Sequence, residues 1–568
     1  MLNEYCYGFV CFVPLPANTP KLFGFSEFLT GLALMVLAWT IADVRYRFRV
    51  RTAPLPLQGI TFAVVSSVGI LALLTDLWRA EQWLVPRGHL ITPSGWQAIL
   101  GGLFLLTVLT WAWFAFIRPP VYGRMNPKRY AHALYRTILN GSPSELSVIA
   151  DELGRSARSL IRHASDRQPP IPGLGGETSA PKLPQVAAYA NDLLLLIADR
   201  RFSRAIVESS PGTALIVFRE ITQTKKYGVP ISIFSKNLVN EAISNKDSFL
   251  FHESEGYESG LLGYHKPLSQ AMFSNYEMVE AIGTLLDPDL SGRAKWDATQ
   301  WQAYCRAVLM TFRNYVEEGW GGHSLVLYRA KGYIEHAVSD LYKLDGMTQN
   351  AWDDDVRQRL RVVVGFIGDA IEILDKKGVP EYVKLRVRKE RGAETFYEHL
   401  AKMIFEVIFH ASTVGSPPDL CWDIQHNTVW YELFNFGRRD GPAAKVVKFK
   451  VRRLLYQEVA TMKRMPNFKG ARILGFCLNV MGLTVHAQES FDDHKALQKA
   501  VLSWTKKNFA WLHAYRSRVA EACMLGSITY DAEHRRLLKT YPSGLEREPK
   551  RDYFDVDPPP SKPGDPVH

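Results

Sequence analysis

The sequence predicts a mostly α-helical protein in which three N-terminal transmembrane helices precede a large, predominantly α-helical cytoplasmic domain. Three observations lead to this prediction. Residues 1–117 are apolar and carry few charges, three windows within them are long enough to cross a bilayer, and residues 118–568 carry most of the charge. The average composition of the 568 residues, 47% hydrophobic and 22% charged, conceals this division.

Three windows match the roughly 20 apolar helical residues that a hydrocarbon core of about 30 Å requires. None of them contains lysine or arginine, and they cover residues 22–42, 57–77 and 96–117. The acids Glu27 and Asp76 lie near span ends, where a charge costs less than at the bilayer centre. We therefore predict a membrane domain over residues 22–117, preceded by an external tail over residues 1–21.

The distribution of basic residues predicts the orientation of these spans. Cytoplasmic flanks are enriched in lysine and arginine. Four basic residues follow the first span, two lie between the second and third, and four follow the third. The first group consists of Arg45, Arg47, Arg49 and Arg51. We expect a multi-pass protein of the plasma membrane with the N-terminus and residues 79–95 outside, where Cys6 and Cys11 could form a disulfide.

The cytoplasmic part divides at a run rich in proline and glycine. We predict a juxtamembrane helical segment over 118–167, in which Ser142 and Pro143 give a helix start signal. Five prolines and three glycines within 168–185 predict a linker. We expect a helical domain over 186–540 and a disordered, proline-rich tail over 541–568.

Apolar residues at helical spacing support the all-α prediction for the cytoplasmic domain. The clearest stripe lies within residues 297–318, and a second one lies within 356–377. Residues 471–485 are equally consistent with a strand and with a buried helix. Further helices are predicted at residues 143–163, 187–208, 212–226, 231–246, 325–343, 393–411, 446–464 and 493–524.

Two polar clusters are the candidate catalytic or metal-binding groups. The first, in residues 245–266, contains His252, Glu253 and His265, and the second, in residues 422–432, contains Asp423 and His426. Carboxylates beside histidines can bind a divalent metal or transfer protons. The alternatives are a polar surface loop for the first cluster and a buried hydrogen-bonded cluster for the second. No recognised catalytic motif is present, which disfavours an enzyme without excluding one, and the sequence indicates no cofactor.

Residues 441–520 form a strongly basic region. Fifteen lysines and arginines and four acids give this region a net charge of +11, which equals that of the whole chain. Anionic lipid headgroups are the nearest candidate partner, and nucleic acid is the second. The alternative is a solvated face that acids elsewhere balance. The candidate contacts are Lys445, Lys448, Lys450, Arg452, Arg453, Lys463 and Arg464.

Three functions are consistent with these features. The leading hypothesis is that the spans anchor a helical module that senses a signal, acts as a scaffold or binds a partner, either an unknown protein or a second copy of the chain. The first alternative is a membrane-tethered hydrolytic enzyme that uses the two polar clusters. The second alternative is an oligomeric channel gated by the cytoplasmic domain, although the midplane of the spans offers only Ser66, Ser67 and Thr107.

Overall fold

The structure, a computed structural model, is mostly helical, as the sequence predicts. Contacts divide it into two compact units, Met1–Glu241 and Ala242–His568. The structure describes the whole chain except residues 1–4, 8–9, 15–20, 42, 87–91, 167–182, 254–257, 260–262, 265–266, 321–322, 348–353, 381–382, 384–393, 435–440, 486–491, 542–548 and 560–568.

The first unit combines a small sheet with helices. Its strands are β1 (Tyr5–Tyr7), β2 (Val10–Pro14) and β3 (Leu84–Pro86). Its helices are α1 (Phe25–Ile41), α2 (Val44–Thr52), α3 (Leu57–Ala80), α4 (Pro93–Ala112), α5 (Pro127–Asn140), α6 (Pro143–His163), α7 (Gln185–Leu196), α8 (Arg200–Ser209) and α9 (Pro211–Thr224). A π-helical turn, Trp113–Ile117, extends α4, and α10 (Ser232–Ser244) crosses the boundary between the units.

Helices α1, α3 and α4 pack around a small aromatic and aliphatic core. Phe28, Val68 and Leu100 are buried there, and the ring of Phe28 meets that of Phe104 edge-on at 5.6 Å. A Cβ at Gly69 would lie 2.7 Å from the Phe28 ring, so the absence of a side chain allows α1 to approach α3. The three predicted spans therefore form one helical bundle.

Among the described residues, two helices are long and apolar enough to cross a membrane: Leu57–Ala80 and Pro93–Ile117. Only 33% and 11% of their most apolar windows are buried inside the protein. Most of their apolar surface therefore faces away from the rest of the chain.

The prediction of a full-length first span at residues 22–42 is wrong. Helix α1 has 17 residues, which corresponds to about 25 Å, and is shorter than the other two. Two acids hold the chain in a non-helical conformation before it: Glu27 accepts a hydrogen bond from the Gly24 amide and Asp76 accepts one from the Phe25 amide, each at 2.9 Å. The shorter α1 packs against two longer apolar helices.

The predicted external tail, residues 1–21, contains ordered strands. β1 and β2 form an antiparallel hairpin, and β2 also pairs with β3, in the loop between α3 and α4. Cys11 is disulfide-bonded and lies opposite Cys6 in the strand register. The tail and this loop therefore lie at the same end of the helical bundle.

An ion pair links the other end of the bundle to α6. Arg49 of α2 is buried and binds both carboxylate oxygens of Glu152 of α6, at 2.6 and 2.9 Å. The same guanidinium donates a hydrogen bond to the Ala115 carbonyl in the π-helical turn, at 2.8 Å. Because the Arg49 and Glu152 side chains are 7% and 3% exposed, this pair is shielded from water.

The second unit is a larger assembly of helices with two small sheets. Its helices are α11 (Phe249–His252), α12 (Pro267–Phe273), α13 (Tyr276–Ile282), α14 (Leu290–Arg293), α15 (Ala298–Glu317), α16 (Leu325–His336), α17 (Asp355–Lys377), α18 (Phe396–Ala411), α19 (Pro418–Trp422), α20 (Glu432–Phe434), α21 (Pro442–Thr461), α22 (Phe468–Met481), α23 (Asp492–Tyr515) and α24 (Ser517–Glu521). A 3₁₀ turn (Leu341–Leu344) and a π-helix (Asp423–Tyr431) complete the helical elements. Its strands are β4 (Glu258–Ser259), β5 (Gly263–Tyr264), β6 (Ile528–Asp531), β7 (Arg536–Thr540) and β8 (Arg551–Asp555).

Both predicted apolar stripes lie in the core of the second unit, where α15 packs along α17. The side chains of the α15 stripe are buried, as are those of the α17 stripe. The first stripe comprises Trp301, Tyr304, Cys305, Val308, Leu309, Phe312, Tyr315 and Val316. The second comprises Leu360, Val363, Val364, Ile367, Ile371 and Leu374.

Three long predicted helices are shorter in the structure than the sequence predicts. The helix predicted at residues 187–208 is two helices, because the Asp199 side chain accepts a hydrogen bond from the Phe202 amide at 3.0 Å and caps α8. The helices predicted at 325–343 and 493–524 also end early, at His336 and Tyr515.

The undecided segment 471–485 is helical through Met481, as part of α22. The chain leaves the helix at Gly482, whose φ of +78° is accessible to glycine at little cost. Almost every side chain from Ala471 to Val480 is buried, which explains why periodicity alone could not assign it. The predicted linker falls mostly outside the described residues.

The prediction of disorder over residues 541–568 is wrong for Arg551–Asp555, which form β8 and pair antiparallel with β7. Lys539 of β7 is buried and donates a hydrogen bond to the Asn479 carbonyl. Its ammonium lies 4.7 Å from the centre of the Trp422 ring and 4.8 Å from that of Tyr541. Cation–π contacts and burial thus hold the sheet against the helices.

We predict that Glu152→Gln destabilises the first unit by about 3–5 kcal/mol, because it leaves the buried Arg49 charge without its partner. The measurement is the thermal unfolding of the detergent-solubilised full chain. Asp151→Asn is the matched control: it removes a carboxylate that is 54% exposed and 3.1 Å from Arg45, so it should cost about 1 kcal/mol or less. Equal losses in the two variants would contradict this role of the ion pair.

Candidate functional site

In the described part of the first predicted polar cluster, the Glu253 carboxylate is engaged in structural hydrogen bonds. Glu253 is buried, and its carboxylate accepts hydrogen bonds from the amides of Leu268, at 3.1 Å, and Ser269. This carboxylate therefore caps the beginning of α12. His252 is exposed at the end of α11, and His265 lies outside the described residues.

The second predicted cluster lies in a π-helix. Asp423 forms an ion pair with Arg357, which is fully buried, and accepts a hydrogen bond from Asn427 at 3.3 Å. His426 is partly buried, its ring stacks on that of Trp422 at 4.0 Å, and it contacts the Asn427 amide oxygen at 2.9 Å. The cluster is thus a hydrogen-bonded network built around a buried salt bridge.

The predicted anionic-partner residues do not form one continuous surface. Lys448 and Lys450 are buried, and Lys450 forms an ion pair with Glu398. Lys445, Arg453 and Arg464 are exposed, whereas Arg452 and Lys463 are partly buried. Binding of lipid or nucleic acid through this region stays a prediction that depends on the exposed members.

The described part of the chain contains no group of three histidine, cysteine, aspartate or glutamate residues that could hold a metal ion. Its four free cysteines, Cys305, Cys421, Cys477 and Cys523, are buried. Burial raises the pKa of each thiol, which keeps it protonated and unreactive at neutral pH.

A pocket with converging side chains lies in the second unit, where four helix ends meet. Helices α15 and α17 end there near Gly319 and Gly378, whose φ values are +79° and +84°. Helices α16 and α18 begin there after the capping residues Ser324 and Thr395. The cavity volume is about 260 Å³. This is just below the range of about 300–1,000 Å³ for drug-sized ligands, so the pocket suits a small molecule.

Aromatic rings form much of the pocket wall. The Phe396 ring lies 5.0 Å from that of Tyr315 and 5.6 Å from that of His399. The Tyr328 ring meets His399 edge-on at 5.2 Å. Trp320 and Tyr328, which are 46% and 45% exposed, place two large rings where the pocket opens to solvent.

His399 supplies a neutral polar group within this wall. It is only 5% exposed, and burial lowers the pKa of its imidazole to about 4, with a further contribution from Lys331. The ring is therefore uncharged at neutral pH and offers one hydrogen-bond donor and one acceptor. The His323 ring lies 6.1 Å away, centre to centre.

The charged side chains among the described lining residues are Lys377 and Glu394. Lys377 donates a hydrogen bond to the Glu317 carbonyl at 2.7 Å, and Glu394 forms an ion pair with Lys402. The Glu394 charge is therefore paired, whereas Lys377 keeps its positive charge and is held by a backbone carbonyl. The pocket combines flat apolar walls with a neutral donor and acceptor.

Sequence reasoning missed this pocket because its parts are far apart along the chain. Tyr315 was assigned only to the apolar stripe of α15, and the other rings belong to three further helix ends. Gly319, Gly378 and Pro380 are helix stop signals, but a stop signal does not indicate which helix ends meet. No spacing within one segment could have identified the site.

The neutral His399 predicts a pH dependence of stability. Because its pKa is lower than the ordinary value of about 6.5, the unfolded chain binds more protons between pH 6.5 and pH 4. The free energy of unfolding should therefore fall as the pH drops through this window, by up to about 3 kcal/mol. Chemical denaturation of the detergent-solubilised full chain at several pH values measures this fall.

His399→Gln should remove the part of this decrease in the free energy of unfolding that comes from His399, because glutamine stays neutral at every pH. His336→Gln replaces an exposed histidine of the same unit and should retain it. An unchanged pH profile in His399→Gln would show that this imidazole is not the titrating group.

Comparison with family models, with curated proteins and with solved structures finds no match to this chain. The side chains described above are therefore the basis for a proposed function. Among these, the aromatic pocket around His399 is the arrangement best suited to binding a ligand.

Proposed function

We propose that this protein is a membrane-anchored sensor: the first unit inserts into the bilayer, and the second unit binds a small, uncharged, planar ligand. The observation that carries the binding function is the pocket at the four helix ends. It unites aromatic walls, a neutral imidazole and a restricted volume in one concave site. This proposal selects sensing from the sensing, scaffolding and partner-binding functions that the sequence favours.

The anchoring role is supported by large apolar side chains that the protein leaves uncovered. Phe62, Ile70 and Leu106 are 75%, 61% and 61% exposed, although they lie in the middle of long apolar helices. Each exposed Å² of such surface costs about 25 cal/mol in water, whereas hydrocarbon removes the cost. A buried core helix of a soluble domain would instead be covered by its neighbours, and α4 is not.

The predicted orientation is supported by contacts at one end of the bundle. The tail strand β2 pairs with β3 of the loop between α3 and α4, so both segments lie on one side of the proposed membrane. Cys11 is disulfide-bonded on that side, as an oxidising exterior would allow. The arginines of α2 lie at the opposite end, which we assign to the cytoplasm.

The choice of an uncharged planar ligand follows from the electrostatics of the pocket. Aromatic walls accept either a flat ring or an organic cation. Lys331 and Lys402 lower the pKa of His399 while Glu394 raises it, so the charges around the imidazole are mixed, and the Lys377 ammonium in the pocket lining disfavours a cation. A nucleobase-like heterocycle would stack on the rings and pair its donor and acceptor with the neutral imidazole.

The hydrolytic alternative gains no support from the described residues. The carboxylates of Glu253 and Asp423 are engaged with backbone amides and with Arg357, respectively.

The channel alternative rests on Ser66, Ser67 and Thr107. The Thr107 hydroxyl donates a hydrogen bond to the Leu103 carbonyl of its own helix. These contacts favour anchoring and binding over catalysis or conduction.

We predict that adenosine or uridine raises the melting temperature of the detergent-solubilised full chain. Trp320→Ala should weaken this binding by about fivefold or more, because stacking of a base on an aromatic ring contributes about 1–3 kcal/mol. Titration calorimetry measures the affinity. Tyr342→Ala, which removes a 58% exposed ring outside the pocket, should bind as the unmodified protein does.

Two results would contradict the binding proposal. One is equal nucleoside affinity in Trp320→Ala and in the unmodified protein. The other is preferential binding of tetramethylammonium, which would show that the rings receive a cation instead. Inorganic phosphate serves as a further probe and should not bind at this pocket.

A further inference from the structure

The four arginines of α2 form two pairs that face different partners. Arg45 and Arg49 are four residues apart, as are Arg47 and Arg51, so each pair lies on one face of the helix. Because each residue turns the helix by about 100°, the two faces point in nearly opposite directions. The faces therefore have separate electrostatic surroundings.

The first pair is neutralised within the protein. Arg49 binds Glu152, and Arg45 lies 3.1 Å from Asp151 and 3.5 Å from Glu152. These acids belong to α6, against which α2 packs. The face with Arg45 and Arg49 is thus an internal interface of the first unit.

The second pair lies on the exposed face, near a further cation. Arg47 and Arg51 are exposed, as is Arg136 of α5, which also packs against α2. The pKa of Arg51 is lowered, first by partial burial and then by the positive charges of Arg136 and Arg47. Arg51 therefore lies between two further cations, Arg47 on its own helix face and Arg136 on the adjacent α5.

This cationic cluster lies beside the proposed membrane. Helix α2 connects the end of α1 to the beginning of α3, and its Tyr46 ring contacts that of Phe116 at 4.5 Å. Phe116 and Ile117, at the end of the third span, are 52% and 66% exposed. The exposed apolar surface of the third span therefore ends where α2 packs, which places α2 at the headgroup end of that span in the proposed insertion.

We propose that Arg47, Arg51 and Arg136 form a binding site for the phosphate of anionic phospholipids in the cytoplasmic leaflet. Guanidinium groups bind phosphate through paired hydrogen bonds, and a third cation allows the site to prefer lipids with net negative charge. The continuity with apolar surface favours a lipid over nucleic acid or free phosphate. This inference rests on the proposed insertion of the first unit into the bilayer.

The test is titration of the detergent-solubilised full chain with short-chain phosphatidylglycerol, phosphatidylcholine and inorganic phosphate. Only phosphatidylglycerol should bind tightly. Each basic residue near a membrane surface contributes about a fivefold gain in affinity for anionic lipid. Arg51→Gln should therefore weaken phosphatidylglycerol binding by about fivefold. The Arg47→Gln/Arg51→Gln double variant should weaken it by about 25-fold. Arg51→Lys keeps the charge and should recover part of the affinity.

Arg219→Gln is the matched control, because it removes another exposed arginine of the first unit on α9. It should leave phosphatidylglycerol affinity unchanged. Any of three results would contradict the proposed lipid site. The first is equal affinity for phosphatidylglycerol and phosphatidylcholine, and the second is competition by inorganic phosphate at equal concentration. The third is full phosphatidylglycerol affinity in the double variant. Sedimentation with cell membranes distinguishes loss of the lipid site from loss of membrane anchoring. The double variant should still sediment with the membranes, because its apolar spans are unchanged.

Discussion

The uncovered apolar surface of α3 and α4 is the constraint on which the interpretation of this structure depends. Side chains such as Phe62 and Leu106 expose apolar surface that costs about 25 cal/mol per Å² in water and nothing in hydrocarbon, which is the basis of the proposed insertion. A helix satisfies its own backbone hydrogen bonds, so it can meet this condition without further partners. The short helix α1 packs against both long helices through Phe28. The paired tail strands and the arginines of α2 lie at opposite ends of this bundle, as the proposed orientation requires.

The ion pair between Arg49 and Glu152 shows how the membrane helices are joined to the helices that follow them in the first unit. A buried ion pair contributes little net stability, because desolvation offsets much of the attraction, but breaking it is costly. Arg49 also binds the Ala115 carbonyl, so one guanidinium fixes α2, the end of the third span and α6 together. Arg49 is thus a central contact of this junction, while its neighbours Arg47 and Arg51 are exposed, as the proposed lipid site requires.

Capping residues and apolar stripes in the sequence predicted many of the helices. The features that the sequence did not predict depend on contacts between residues far apart along the chain. Ser142 and Glu145 form the capping box that begins α6 where the sequence placed it. The stripes of α15 and α17 are buried as predicted. The first span begins at Phe25 and not at residue 22, and there Asp76 of α3, 51 residues away, accepts a hydrogen bond from the Phe25 amide. The C-terminal sheet and the His399 pocket likewise depend on partners distant in sequence, which a single sequence does not reveal.

Thiol labelling on intact cells tests the central claim, that the first unit spans the membrane with its tail outside. The disulfide at Cys11 would be opened with a membrane-impermeant reductant, followed by a membrane-impermeant maleimide; the four buried cysteines provide an internal background. The account predicts labelling of full-length protein in intact cells that is lost in the Cys6→Ser/Cys11→Ser variant. Labelling that appears only after the membrane is permeabilised would contradict it.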